Sequence, residues 1–224
     1  VPVGPEFRVN TTTAGAQLAP QVAGLSDGSF AVVWTDQGGA DGSSYGVYLQ
    51  RYTADGAPLG SEQRVNTYTT SQQDEPALAA YGGGFVVTWS SYGPDGSGLG
   101  VQAQRFGNAG TAVCAEFGVN ASASGNQYEP DVAATADGRF VIVWRSDGQD
   151  GSSAGVYAQR FNADGTTAGT EFRVNTHTAN GQYEAQVVAL AGGGFVVVWR
   201  SDSQDGSSAG VYAQVYAGDG TAVG

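Results

Sequence analysis

Four stretches of this 224-residue chain carry an asparagine followed seven residues later by a glutamine: Asn10 with Gln17, Asn66 with Gln73, Asn120 with Gln127, and Asn175 with Gln182. Tyr68, Tyr128 and Tyr183 stud the same stretches, and Tyr92 lies in a neighbouring one. Fixed amides beside aromatic rings suit sugar recognition. The amides meet hydroxyls, and the ring faces the C–H side of a sugar. Similar loops repeated around one scaffold would give several weak sites and therefore avidity. The competing explanation is that these amides satisfy loop backbone and shape turns. Two acid pairs, Asp147 with Asp150 and Asp202 with Asp205, offer hard oxygen ligands. Calcium takes about six to eight oxygens from flexible loops, so the ion is a candidate ligand there. Against it, the first copy spaces its acids differently (Asp36, Asp41), the second has Ser91 in place of an acid, and Arg145 and Arg200 stand beside the acids and can neutralise them.

Catalytic signatures are sparse. The one histidine, His177, falls where other copies have Thr12, Tyr68 and Ser122, so no Ser-His-Asp set can be assembled from recurring residues. No cysteine and histidine cluster suits zinc. Carboxylate pairs of the glycosidase kind remain open. Cys114 is the sole cysteine, at a position where other copies have Gly4, Gly60 and Gly169. It reads as a tolerated turn substitution or, alternatively, as half of an intermolecular disulfide. The acidic residues number 21 against nine arginines, with no lysine, for a net charge of −12. Such a surface repels phosphate backbones and anionic lipid, which argues against nucleic-acid partners. No apolar run reaches the roughly 20 residues of a spanning helix, so no membrane insertion is expected. The Val-Pro-Val-Gly start has no leader-like charge and apolar pattern.

These residues are carried by a repeat. Trp34, Trp89, Trp144 and Trp199 are 55 residues apart each time, and each closes a Phe-x-x-x-Trp run. That period belongs to solenoids, propellers and arrays. Each unit reads as four short strands. The first strands are Gln21–Leu25, Ala77–Tyr81, Asp131–Thr135 and Gln186–Leu190, and tight Asp-Gly or Gly-Gly turns lead from them into the Phe-to-Trp runs. Those runs are apolar at nearly every position, so both faces should be buried. Third strands follow a longer loop, and a Glu-x-x-Val-Asn run (from Glu6, Glu62, Glu116 and Glu171) forms the fourth. Four antiparallel strands with two buried faces make a propeller blade. We therefore expect an all-β, four-bladed β-propeller, one domain over 1–224, with Glu6–Asn10 completing the last blade and closing the ring. Donation of that strand to a neighbouring molecule is the alternative. The short turns share one face; the second-to-third loops and the blade-to-blade loops share the other, which is the expected working face. Arginines on third and fourth strands are expected to pair across strands with Glu6, Glu62, Glu116 and Glu171.

The runs Gly194–Ser201, Gln204–Gln214 and Glu171–Thr176 resemble a repeat of large secreted and surface bacterial proteins that often carry RTX-type calcium-binding or cadherin-like modules. The resemblance covers essentially the whole chain. It implies an extracellular, non-catalytic module and supplies no catalytic residues. The sequence thus predicts a secreted or cell-surface, lectin-like adhesion module that binds glycan through its long-loop face and needs no cofactor, with calcium as an optional one. The alternatives are a self-associating subunit of an extracellular fibre or matrix, and an enzyme acting on polysaccharide.

Overall fold

A computed structural model of the protein describes residues 4–224; part of the Val-Pro-Val-Gly start thus lies outside the described residues. The described residues form four antiparallel sheets of four strands. The first blade comprises β1 (Gln17–Gly24), β2 (Phe30–Asp36), β3 (Gly46–Tyr52) and β4 (Pro58–Arg64); the second comprises β5 (Gln73–Tyr81), β6 (Gly84–Tyr92), β7 (Leu99–Gly107) and β8 (Phe117–Gly118). The third comprises β9 (Gln127–Ala134), β10 (Phe140–Asp147), β11 (Ala154–Phe161) and β12 (Phe172–Arg173); the fourth comprises β13 (Gln182–Ala189), β14 (Phe195–Asp202), β15 (Ala209–Tyr216) and β16 (Ala222–Val223). These are four blades of a β-propeller, as the repeat predicts. The first strands β1, β5, β9 and β13 pack on one another in that order along the axis. They begin four residues earlier than expected, because each runs through a bulge before its apolar half.

Turn chemistry explains the hairpins. At Asp27-Gly28 the glycine takes φ 84°, and the Asp27 carboxylate accepts the Ser29 N–H at 3.0 Å. A side chain at that φ would be strained, which is why glycine recurs there.

The core lies between blades. Ala31, Val33, Val47 and Leu49 of the first blade meet Phe85, Trp89 and Phe106 of the second. Val86, Val101 and Ala103 of the second meet Phe140, Ile142, Trp144 and Phe161 of the third. Val141, Val143, Val156 and Ala158 of the third meet Phe195, Val197, Trp199 and Tyr216 of the fourth. One junction is thus built three times: aliphatic residues on one blade, a Phe-x-x-x-Trp strand on the next. Aromatic stacking lines it, at 5.2 Å for Phe85–Phe106, 4.7 Å for Phe140–Phe161 and 4.9 Å for Phe195–Tyr216. Trp34, Trp89, Trp144 and Trp199 are all buried, and their indole N–H groups have no acceptor.

Two expectations are corrected. The last blade takes its fourth strand from Ala222–Val223, which pairs with Val215 and Tyr216, and not from Glu6–Asn10. The Asp219-Gly220 turn makes that pairing a local hairpin, with little chain entropy to lose. Phe7 instead packs on Tyr52, ring centroids 5.2 Å apart, and the Tyr52 hydroxyl donates to the Val9 carbonyl at 2.7 Å. The fourth-strand glutamates also do not pair with arginines. Glu62 accepts the backbone N–H of Thr11 at 2.6 Å, Glu116 that of Thr67 at 2.6 Å, and Glu171 that of Ala121 at 2.6 Å. Each therefore pins the loop that enters its own blade. Burial alone would raise the Glu62 carboxyl, but hydrogen bonds from the backbone and hydroxyls of Thr11 and Thr12 outweigh it and hold the group below the usual carboxylate value. A lowered folded-state value gives stability that is full above the unfolded value and is lost as pH falls through the folded one. Glu62→Gln should therefore lower the melting temperature at pH 7 and have little effect near pH 3, which thermal scans at the two pH values would measure.

Candidate functional site

The long loops do gather on one face, as expected: Ser43 donates to the Ser71 carbonyl at 2.6 Å and Ser152 to that of Asn180 at 3.0 Å, bridging second-to-third and blade-to-blade loops. The recurring amides, however, face inward. Asn66 and Asn175 are buried, as are Gln73, Gln127 and Gln182. The Asn66 amide donates to Gln73 Oε1 at 3.2 Å and to the Tyr68 carbonyl at 2.8 Å, while its Oδ1 accepts the Val47 N–H at 2.8 Å. Asn120 with Gln127, and Asn175 with Gln182, repeat this latch at 3.0 and 2.9 Å. Asn10 and Gln17 form it at 3.0 Å in a more open setting. The amides have used their bonding capacity on loop backbone, so these eight residues are corrected from ligand-binding to architectural. Asn175→Ala should cost about 1–3 kcal/mol, because it strands the Val156 N–H and the Gln182 side chain; urea unfolding would read this loss.

The tyrosines differ among themselves. Tyr183 is in reach of two guanidinium groups, Arg145 at 4.5 Å and Arg200 at 5.4 Å from its centroid. Tyr128 carries Arg145 at 4.6 Å on one face, and its hydroxyl lies 3.2 Å from Asp147. Burial, with Asp147 adding and Arg145 opposing, pushes that phenol up to about 12. Tyr68 is half-buried, with its hydroxyl close to Gly93, and Tyr92 is exposed. Tyr183 and Tyr128 thus already carry arginine cations, which compete with the expected sugar stacking.

The proposed metal ligands are otherwise engaged. Asp147 pairs with Arg145 and Asp202 with Arg200, both at 3.1 Å. Asp150 caps the Ser152 N–H at 3.0 Å and Asp205 the Ser207 N–H at 2.9 Å, as turn residues do. Among the described residues, no group of three or more His, Cys, Asp or Glu side chains is arranged to hold a metal ion.

A constellation that the sequence reading missed lies at the axis. Just beyond the first two residues of each first strand the ladder shifts register, and the bulged residue takes positive φ: Ala19 at 48°, Glu75 at 53°, Glu129 at 54° and Glu184 at 55°. Positive φ in a residue with a Cβ is strained, and such strain gathers at functional sites. The bulge does not need glutamate, since Ala19 makes it too. Three glutamates therefore converge on the long-loop end of the axis for reasons other than backbone conformation. The Glu129 N–H donates to Glu75 at 3.0 Å, and the Ser90 hydroxyl donates to the same oxygen at 2.9 Å. Arg145 lies 3.9 Å from Glu129, and Arg200 lies 3.3 Å from the exposed Glu184. A cleft of about 350 Å³ opens here, lined by Glu129, Arg145, Tyr183, Glu184, Arg200 and Asp202. Burial raises the Glu129 carboxyl, Arg145 opposes this, and the like charges of Glu75 and Glu184 add to it; one of its oxygens is buried without a partner. Asp74, next to Glu75, is pushed up to about 6 by burial and by that neighbour's charge. The available signal in the sequence was Gln-x-Glu, recurring as Gln73-Asp74-Glu75, Gln127-Tyr128-Glu129 and Gln182-Tyr183-Glu184.

Asp74 has a folded-state value above its unfolded one, so its ionisation opposes folding. Stability falls as pH rises from about 4 to about 6. Asp74→Asn should therefore raise stability at pH 7 by about 1–2 kcal/mol after allowance for partial solvent screening, and change it little at pH 4. Melting curves at the two pH values check this.

No protein-family model matches the chain, and no curated protein matches it. Solved structures do. An α-L-arabinanase of Penicillium chrysogenum, complexed with arabinobiose, overlays at TM-score 0.62 and 18% identity over 89% of this chain and 62% of its own. An α-L-arabinofuranosidase of Fusarium graminearum with an iminosugar inhibitor overlays at 0.60 and 15% over 90% and 66%. An endo-arabinase of Bacteroides thetaiotaomicron overlays at 0.53 and 13% over 92% and 78%. The likeness is one of fold. This chain spans about three-fifths to four-fifths of their length. The neighbours are an arabinanase, an arabinofuranosidase and an endo-arabinase, which contradicts the expectation of a non-catalytic adhesion module and the expectation of no enzyme as guides to the function of this fold.

Proposed function

We propose that the protein is a glycoside hydrolase acting on plant-type polysaccharide, arabinan or arabinoxylan, at the long-loop end of its axis. The observation that supports this is the convergence of Glu75, Glu129 and Glu184 on strained bulges of three adjacent first strands. Glycoside cleavage needs two carboxyl groups with different protonation: an acid that protonates the leaving oxygen, and a carboxylate that acts as base or nucleophile on the other side of the sugar. Glu129 fits the acid. It is half-buried, its carboxyl is raised, and its like-charged neighbours favour the protonated form. Glu184 fits the carboxylate: it is exposed, and the Arg200 guanidinium lies 3.3 Å from it. Glu75 holds Glu129 by its backbone N–H and so positions it. The cleft beside Tyr183 is where a sugar would lie.

The proposed setting is extracellular, in line with the repeat's resemblance to secreted and surface proteins. Reducing-end release from arabinan, arabinoxylan, xylan and a non-plant glucan tests the assignment. Activity on the pentose polymers, lost in Glu129→Gln, supports it. No release from any polymer, or activity that survives that substitution, refutes it.

A further inference from the structure

The junction between blades is present three times in full and once as two separate halves. The aliphatic half stands open on the fourth blade. Val188, Val196, Val198, Val211 and Ala213 occupy the repeat positions of Ala133, Val141, Val143, Val156 and Ala158, which are all buried under the fourth blade. Uncovered, Val211 is 84% exposed and Val188 57%. The aromatic half stands on the first blade, where Phe30, Val32, Trp34 and Tyr52 repeat the Phe-x-x-x-Trp surface; Trp34 and Tyr52 are already buried, with Tyr48, Phe7 and Val9 packed on this cluster, and Phe30 is half-buried. Val22 on its first strand is 65% exposed. The axial packing runs from β1 through β5 and β9 to β13, with no comparable packing of β13 on β1 among the described residues.

A third observation concerns Phe7. On the third blade, Phe117 of the preceding blade's fourth strand packs on Phe161 at 5.6 Å; on the fourth, Phe172 packs on Tyr216 at 5.5 Å. On the first blade, Phe7 packs on Tyr52 at 5.2 Å in the same manner. Phe7 therefore lies where the outermost strand of a preceding blade would lie, and no inner strands stand beside it.

We infer that the space between the fourth and first blades is a seat for one further blade of the same 55-residue repeat type, with the Phe7–Val9 segment as its outermost strand. Its Phe-x-x-x-Trp strand would cover Val188, Val198 and Val211, and its aliphatic face would cover Val22 and the half-buried Phe30. The occupant follows from continuity with the three formed junctions, which a blade of this type reproduces on both sides without altering any of them. Closure of the four blades on themselves would instead have to change all three. A second whole copy would place its own second blade onto the first blade already present.

The test extends the chain with a copy of residues 115–169, which continues the repeat in register after Gly224. The extended protein should be monomeric, bind less of an apolar-surface dye, and melt higher by roughly 5–10 °C, as burial of two apolar faces requires. Val211→Asp should leave the melting of the original chain unchanged and remove the gain in the extended one. No gain, or a gain insensitive to Val211→Asp, overturns the inference. A second readout uses Arg8→Cys with Tyr212→Cys in a Cys114→Ala background, positions that match the paired Arg173 and Tyr157 of the third blade. The original chain should form no disulfide. A disulfide within one chain would show self-closure, and one between chains a second copy; either result overturns the inference.

Discussion

Glu129→Gln should lower kcat/KM on the cleaved polysaccharide by ~10²–10⁴, the usual contribution of a positioned general acid. The substitution keeps the shape of the side chain and its half-buried setting. What it removes is the proton that burial and the neighbouring carboxylates retain. The pH profile separates this from a structural effect. In the unaltered protein the acidic residue must stay protonated, so activity should fall as pH rises through the raised Glu129 value. The residual activity of the variant should lose that alkaline limb. Glu75→Gln should cost less, because Glu75 acts by accepting the Glu129 N–H, and a glutamine oxygen can still accept it. Unchanged melting temperatures in both variants would place the loss in chemistry. Equal losses in the two would refute the separate roles.

Trp144→Ala should destabilise the protein by about 3–5 kcal/mol, and Trp144→Phe by only about 1 kcal/mol. Trp144 is 0% exposed, in the junction of the second and third blades with Ile142, Phe140 and Phe161. Alanine there leaves a cavity between two sheets that are held by their neighbours and cannot collapse onto it. Phenylalanine keeps most of the volume, and no hydrogen bond is lost because the indole N–H has no acceptor. Urea unfolding of both variants measures the contrast. A loss in Trp144→Phe close to that in Trp144→Ala would mean that the indole N–H has a partner in solution.

The architecture was legible because its determinants are local and repeated. The Trp period, the Asp-Gly turns and the doubly apolar Phe-to-Trp strands each fix an element with little reference to the rest of the chain. Where the last blade finds its fourth strand was not legible. The Glu6–Asn10 and Ala222–Val223 segments both suit a strand, and the choice depends on a hairpin against a long-range pairing. The site was misread for a related reason. Asn66 and Gln73 look like free polar residues on a loop, and only burial reveals that they bond each other. Glu75, Glu129 and Glu184 sit in an unremarkable run beside prolines or alanine. Nothing in a one-dimensional reading says that a bulge aims all three at one axis. Arg145 and Arg200 were read as neutralising the neighbouring acids, and at Asp147 and Asp202 they do so.

The three axial glutamates come from the second, third and fourth blades, and the first contributes only Ala19 at that position. Arginines stand beside the last two, whereas Ser90 and Thr35 hold the equivalent places in the second and first blades. The mouth of the propeller is therefore lopsided, with the three axial glutamates on the second to fourth blades, both arginines on the third and fourth, and neither on the first. A linear polymer laid across it meets different surroundings upstream and downstream of the reacting bond. Its two orientations are inequivalent, and a scaffold built from one repeated unit acquires a direction that the repeat does not supply.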